Sequence, residues 1–139
     1  MKVWFVTGCS SGFGKELVKK ILKEGDAVIA TARNTSSLND LNGEVLKLPL
    51  DVTNQKQIKS TVRKAKQWKG RIDILVNNAG VGRISSIEDS ELNDWQNIFA
   101  VNVFGLINVT KEITPIFRKQ CSGQIINMGS IAGVTTRPG

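Results

Sequence analysis

The chain is predicted to fold as an α/β protein built on a doubly wound parallel sheet, and three features of its 139 residues lead there. Short, nearly unbroken apolar runs at 3–6 and 27–32 have the pattern of parallel strands covered on both faces. Amphipathic runs with helical spacing alternate with such strands, the order that yields a parallel sheet with right-handed crossovers. Between the first strand and the first helix stands Thr7-Gly8-Cys9-Ser10-Ser11-Gly12-Phe13-Gly14. A glycine-rich turn from a buried strand into a helix lets backbone N–H groups approach a pyrophosphate, while the helix N-terminus supplies a fixed partial positive charge. Gly8, Ser10, Ser11, Gly12, Phe13 and Gly14 are therefore candidate cofactor contacts. Their spacing is Gly-x-x-x-Gly-x-Gly rather than Gly-x-Gly-x-x-Gly, and three glycines in a turn also serve a plain tight connection.

The first helix, predicted over 12–24, carries Phe13, Leu17, Val18, Ile21 and Leu22 on one stripe with lysines opposite, and Gly25 suits a left-handed cap. With the second strand at 27–32, residues 3–32 make one βαβ unit of about 30 residues. Residues 36–41 suit a helix or merely a turn. The third strand is predicted over 44–50, alternating Val45, Leu46, Leu48 and Leu50 around Lys47. Thr53 or Asn54 can cap the next helix, which runs to about 68 with Ile58, Val62, Ala65 and Trp68 on one face and closes at Gly70. A fourth strand follows at 72–76, then a polar loop through Ser90. Ser90 is expected to cap one long helix from 91 to about 119, kinked near its far end by Pro115. Its apolar positions Leu92, Trp95, Ile98, Phe99, Val103, Leu106 and Ile107 follow helical spacing. The fifth strand is predicted over 124–128, and 131–139 read as a loop with nowhere to dock.

Nineteen Lys and Arg against twelve Asp and Glu give a net charge of +7. These cations scatter over helix faces without interleaved exposed aromatics, so solvated helices explain them better than a nucleic-acid surface. No apolar run approaches the ~20 residues of a membrane span. The apolar part of the N-terminus is too short for a signal peptide, and a cytoplasmic location is expected. Cys9 and Cys121, without any histidine, offer neither a zinc site nor a disulfide framework and are expected to be reduced thiols. In a doubly wound sheet the ligand belongs at the carboxyl ends of the strands, where the strand order reverses. Gly8, Ser10, Arg33, Asp51, Asn78 and Ser130 all fall at strand ends.

Five segments together resemble the short-chain dehydrogenase/reductase family, over the whole of the chain. They are Thr7-Gly8-x-x-x-Gly12-x-Gly14, Asp51-Val52, Asn77-Asn78-Ala79-Gly80, Asn102 between Val101 and Val103, and Ser130 after the fifth strand. The resemblance implies a Rossmann-like sheet and an enzyme that interconverts an alcohol and a ketone or aldehyde with a nicotinamide cofactor. It also implies that Asp51 and Val52 border the adenine and that Asn78, Ala79 and Gly80 back the ribose. By the same resemblance the main chain at Asn102 holds a water in a proton relay, Ser130 bonds the substrate oxygen, and Lys111 approaches the cofactor. Relatives pair through the long helix, which implies a homo-oligomer acting on a small molecule, with neither nucleic acid nor membrane as partner. Asn77 and Gly80 can equally form a simple turn, and Asn102 an ordinary helix kink. The second strand ends Thr31-Ala32-Arg33-Asn34, with no acid for a ribose 2′-hydroxyl and an arginine for a 2′-phosphate, which favours NADP over NAD. A solvated strand-end arginine is the plain alternative.

The family's general acid is a tyrosine in Tyr-x-x-x-Lys, roughly a dozen residues past the serine that Ser130 matches. This chain has no tyrosine. Residues 1–139 are therefore expected to be the amino-terminal part of a single NADP-binding Rossmann-like domain, truncated after the fifth strand and inactive as given. A catalytically inactive dinucleotide-binding module, a self-associating fragment and a basic nucleic-acid adaptor are the other readings.

Overall fold

The structure is a computed structural model, described here over residues 1–135. Strand β1 (Val3–Val6) is hydrogen-bonded on both sides, to β2 (Ala27–Ala32) and to β4 (Ile74–Asn77), because its side chains are apolar on both faces. Strands β3 (Val45–Pro49) and β5 (Gln124–Asn127) flank these, giving the order β3-β2-β1-β4-β5 with every pairing parallel. Pro49 lacks an N–H and closes an edge strand, where no ladder bond is lost.

Side chains alternate across the sheet. Phe5, Ile29 and Leu75 lie on one face beneath α2 (Gln55–Lys69) and α4 (Leu106–Gln120), joined by Ile58, Val62, Val109 and Ile113. Val6, Val28, Ala30 and Val76 lie on the other face with Val18 and Ile21 of α1 (Gly12–Lys23), and with Leu38 and Leu41. Helices on both faces make the sheet doubly wound. Phe5, Ile29 and Leu75 have no exposed surface, and each such side chain contributes about 1.5–3 kcal/mol by leaving water.

Helix ends follow the expected chemistry in two cases. Asn54 caps α2, its Oδ1 accepting from the Gln57 N–H at 3.0 Å, and Gly70 closes it at φ 73°. Gly25 follows α1 at φ 86°. Of residues 36–41, which suit either a helix or a turn by their sequence, 36–38 belong to a 3-10 turn (Thr35–Leu38).

Three expectations are corrected. Ser90 does not cap the next helix: Glu91 stands there, and the Ser90 hydroxyl donates to the Ile87 carbonyl (2.8 Å) while accepting from the Trp95 indole (2.7 Å). The long helical region is continuous from Leu92 to Gln120 as expected, but it is not one uniform α-helix, because a π-helical segment (Ala100–Gly105) stands between α3 (Leu92–Phe99) and α4. The π segment touches two groups outside the helix, the Val81 backbone through Asn102 and the Val52 side chain through Gly105. Finally, Ile131–Gly133 form a 3-10 turn rather than plain loop, while 136–139 lie outside the described residues.

Candidate functional site

Strand order reverses between β1 and β4, and at their carboxyl ends opens a cleft of about 300 Å³. Its floor is the glycine turn. Gly8 has φ 71°, and a Cβ there would lie 2.7 Å from Ala79 Cα, so only glycine lets the first and fourth loops meet. Gly14 has a different constraint: a Cβ would strike the Asn78 side-chain amide and come 2.5 Å from the Gly8 carbonyl oxygen.

The two loops are stitched by four hydrogen bonds around Thr7 and Asn78. The Thr7 hydroxyl accepts from the N–H groups of Asn78 (3.0 Å) and Ala79 (2.9 Å). The Asn78 amide donates to the carbonyls of Thr7 (3.0 Å) and Gly8 (2.9 Å). Within the turn, Cys9 is buried and its N–H donates to Thr31 at 2.8 Å, tying the turn to β2. Burial pushes the Cys9 thiol up to about 12, so it stays protonated and unreactive.

Helix α1 meets this floor uncapped. Ser11 is extended (φ −162°, ψ 179°) with no side-chain cap bond, and the first turn holds no acid. The N–H groups of Gly12, Phe13 and Gly14 find no acceptor among the described residues. A helix N-terminus left open in this way receives an anion, because its orphan donors and the helix dipole both favour negative charge.

The side of the cleft toward β3 carries Arg33 and the segment Leu50 to Thr53. The Asp51 carboxylate accepts from Thr53 Oγ1 (2.7 Å) and the Thr53 N–H (2.9 Å). Those bonds, with the Arg33 charge nearby, hold Asp51 below the usual carboxylate range. Arg33 is exposed at the lip, whereas Lys15 is turned away, paired with Asp40 at 2.7 Å. On the β4 side stand Asn78, Ala79, Gly80 and Val81, and across them Asn97 and Val101 of the helix.

The family model for short chain dehydrogenases matches residues 2–139. The chain belongs to the short-chain dehydrogenase family. Among its relatives are 3-oxoacyl-acyl-carrier-protein reductase FabG of Thermotoga maritima, 39% identical over 145 residues, and oxidoreductase BOA17 of Botryotinia fuckeliana, 36% identical over 143 residues. The alignments cover 99% of this chain but only 59% and 52% of those two proteins. Of solved structures, a short-chain dehydrogenase from Streptomyces avermitilis superposes with a TM-score of 0.91 at 34% identity, covering 97% of this chain and 51% of that one. The 3-ketoacyl-acyl-carrier-protein reductase of Brucella melitensis, solved in complex with NADH, gives 0.92 at 29% identity, covering 99% and 60%.

Placed on this short-chain dehydrogenase fold, the expected site residues divide. Gly8, Ser10, Ser11, Phe13, Gly14, Arg33, Asp51, Val52, Asn78, Ala79 and Gly80 line the cleft together. Gly12 lies just outside, opening α1 at φ 55°, and a Cβ there would meet nothing within 4 Å. Asn102 also lies outside the lining, in the π segment. Its side chain accepts from the Val81 N–H (2.9 Å) and donates to the Val81 carbonyl (2.8 Å), so it shapes the cleft through Val81. Ser130 follows β5, its hydroxyl accepting from the Ala132 N–H at 3.1 Å, and is not in the lining. Asn77 ends β4 as a buried cross-tie, its amide donating to Thr110 and Asn127, both at 2.9 Å.

Lys111 lies apart from the cleft. It lines a separate cavity of about 240 Å³ with Gln55, Lys59 and Glu112, on the side of α4 that meets α2. Val109 and Ile113 face the core, so the residue midway between them points away from it. Conversely, Thr53, Asn97 and Val101 line the cleft and Thr7 braces its floor, although the sequence offers none of the four as a cofactor contact. The i, i+4 relation of Asn97 and Val101 is visible in the sequence, but which helical stripe faces the cleft is not.

Proposed function

We propose that this chain forms the nucleotide-binding part of an NADP-dependent oxidoreductase that interconverts an alcohol and a ketone or aldehyde of a small-molecule substrate. The observation that carries the reading is the open N-terminus of α1 above a glycine floor with no room for a Cβ at Gly8 or Gly14. That floor fits a pyrophosphate, whose oxygens take the N–H groups of Gly12, Phe13 and Gly14. The cofactor, when bound, accepts or delivers the hydride.

The remaining roles belong to this chain's own groups. Asp51 and Val52 border the base, and Asn78, Ala79 and Gly80 back the ribose. Arg33 faces the 2′-phosphate of NADP, because its fork of donors matches a phosphate and the end of β2 carries no acid to take a ribose 2′-hydroxyl instead. Ser130 holds the substrate oxygen and Asn102 orders the proton path. The working form is a cytoplasmic homo-oligomer with no nucleic acid or membrane as partner, in which residues 1–139 contribute the amino-terminal part of a single NADP-binding Rossmann-like domain. Titration of NADPH and NADH against the wild type and Arg33→Asp tests the reading. The substitution is expected to weaken NADPH at least tenfold, about 1.4 kcal/mol or more, and NADH far less; equal losses would overturn the NADP assignment.

A second reading is favoured by one observation, the absence of any tyrosine from these 139 residues. Without a phenol to exchange the proton, the chain by itself is a catalytically inactive dinucleotide-binding module. Ketone-dependent NADPH oxidation by a mass-verified 139-residue chain would overturn that.

A further inference from the structure

Gly105 ends the π segment with φ −61° and ψ −47°, values open to any residue. Glycine is a poor helix former, so backbone freedom does not account for it there. Space does. A Cβ on Gly105 would lie 2.6 Å from Val52 Cγ2, 3.0 Å from Val52 Cβ and 3.2 Å from the Ala100 carbonyl oxygen. Val52 is 8% exposed and β-branched, confined to few rotamers, so it cannot yield by swinging a flexible tip. The clash would be relieved only by moving Val52 or the helix.

On its other side Val52 lines the cleft. The helix that carries Gly105 also faces the cleft at Asn97 and Val101, and through Asn102 it holds Val81. Val52 follows β3 and Val81 follows β4, so one π turn touches both sides of the cleft. It grips one by hydrogen bonds and the other by close packing.

We propose that Gly105 is a positioning residue whose missing side chain seats Val52 and so fixes the width of the cleft at the end that receives adenine. The inference rests on the cofactor reading above and adds a residue outside the cleft that decides how large a base the cleft admits.

Calorimetric titration of NADP and of its etheno derivative, which carries a larger base, tests this on the intact protein. Gly105→Ala is expected to weaken NADP binding about tenfold, the effect of a modest overpacking, and to weaken the etheno ligand further. Val52→Ala is expected to narrow the gap between the two ligands. Combining the two substitutions is expected to bring NADP affinity back to within about threefold of wild type, since the added methyl then occupies the vacated space. General loss of structure would weaken both ligands in the same ratio. An etheno-to-NADP ratio unchanged in both single variants overturns the proposal. Should Gly105→Ala not fold, Val52→Ala decides alone, and an unchanged ratio there overturns it. A wild type that binds neither ligand would instead overturn the cofactor reading.

Discussion

Gly14 and Cys9 sit in the same turn and answer to different forces. At Gly14 the constraint is steric, so Gly14→Val is expected to abolish NADPH binding, read by fluorescence titration, and to lower stability by about 1–3 kcal/mol. Binding with unchanged affinity would show that the cradle lies elsewhere. At Cys9 the constraint is burial. A thiol reagent near neutral pH should modify exposed Cys121 and spare Cys9 until denaturant is added; fast labelling of both in the folded protein would contradict the raised pKa. Asp26 provides a third case. Its carboxylate accepts from the Lys2 N–H (2.7 Å) and the Trp4 indole (2.9 Å), which hold it below the usual carboxylate range. A folded pKa below the unfolded one contributes stability above the unfolded value, and the contribution is lost as pH falls through the folded one. Asp26→Asn should therefore cost more at about pH 5 than at about pH 3, measured as urea midpoints; an equal cost at both would sink the assignment. Gly8, Gly14, Arg33 and Asp51 are legible in the sequence because glycine spacing and strand-end position mark them, even though the atoms that crowd Gly8 and Gly14 belong to Ala79 and Asn78. The role of Thr7 is not, since its partners stand 71 and 72 residues away.

Among the elements, the π segment departs furthest from what the pattern 92–107 suggests. Apolar residues there keep ordinary helical spacing, so nothing within the helix announces the wide turn. Its contacts lie across the cleft, in the Val81 backbone that Asn102 grips and in the Val52 side chain that Gly105 admits. Such turns recur at functional sites, where they re-aim side chains. The loop from Val81 to Glu91 depends on the same helix. Arg83 pairs with Asp94 at 2.6 Å, and Trp95 donates to Ser90. Asn102→Ala should release the Val81 backbone at a cost of about 1–3 kcal/mol. Hydrogen exchange would report it as faster exchange at Val81 and along the loop, with the β1 amides unchanged. Equal protection in wild type and variant would mean that the clamp contributes nothing. Strands and the caps at Asn54 and Gly70 are legible because short-range patterns fix them. The phase of a helix against a distant wall is not a short-range pattern, so the sequence does not tell that Lys111 lines a different cavity from Asn97 and Val101.

For the molecule as a whole, the doubly wound sheet follows directly from the alternation of apolar runs with amphipathic helices. Its exposed apolar surface is where the self-association read from the sequence would act. Phe99 (53% exposed), Phe104 (58%) and Ile107 (49%) crowd the outer side of the α3 to α4 helix, and Ile125 (42%) lies on the open edge of β5. Apolar surface of this kind and an unpaired strand edge both favour association. Sedimentation of the 139-residue chain over a concentration series is expected to show self-association that Phe99→Glu with Phe104→Glu reduces. A monomer at every concentration would remove the idea. The central place of β1 has one more consequence, in the order of events during synthesis. During synthesis β1 finds β2 within about thirty residues, but its other edge waits for Ile74, opposite Trp4 in the register. At ~5–20 residues per second, the nascent chain carries that half-open strand for several seconds. Chains stalled just short of β4 should be cut rapidly by protease near β1, and chains long enough to have released it should not.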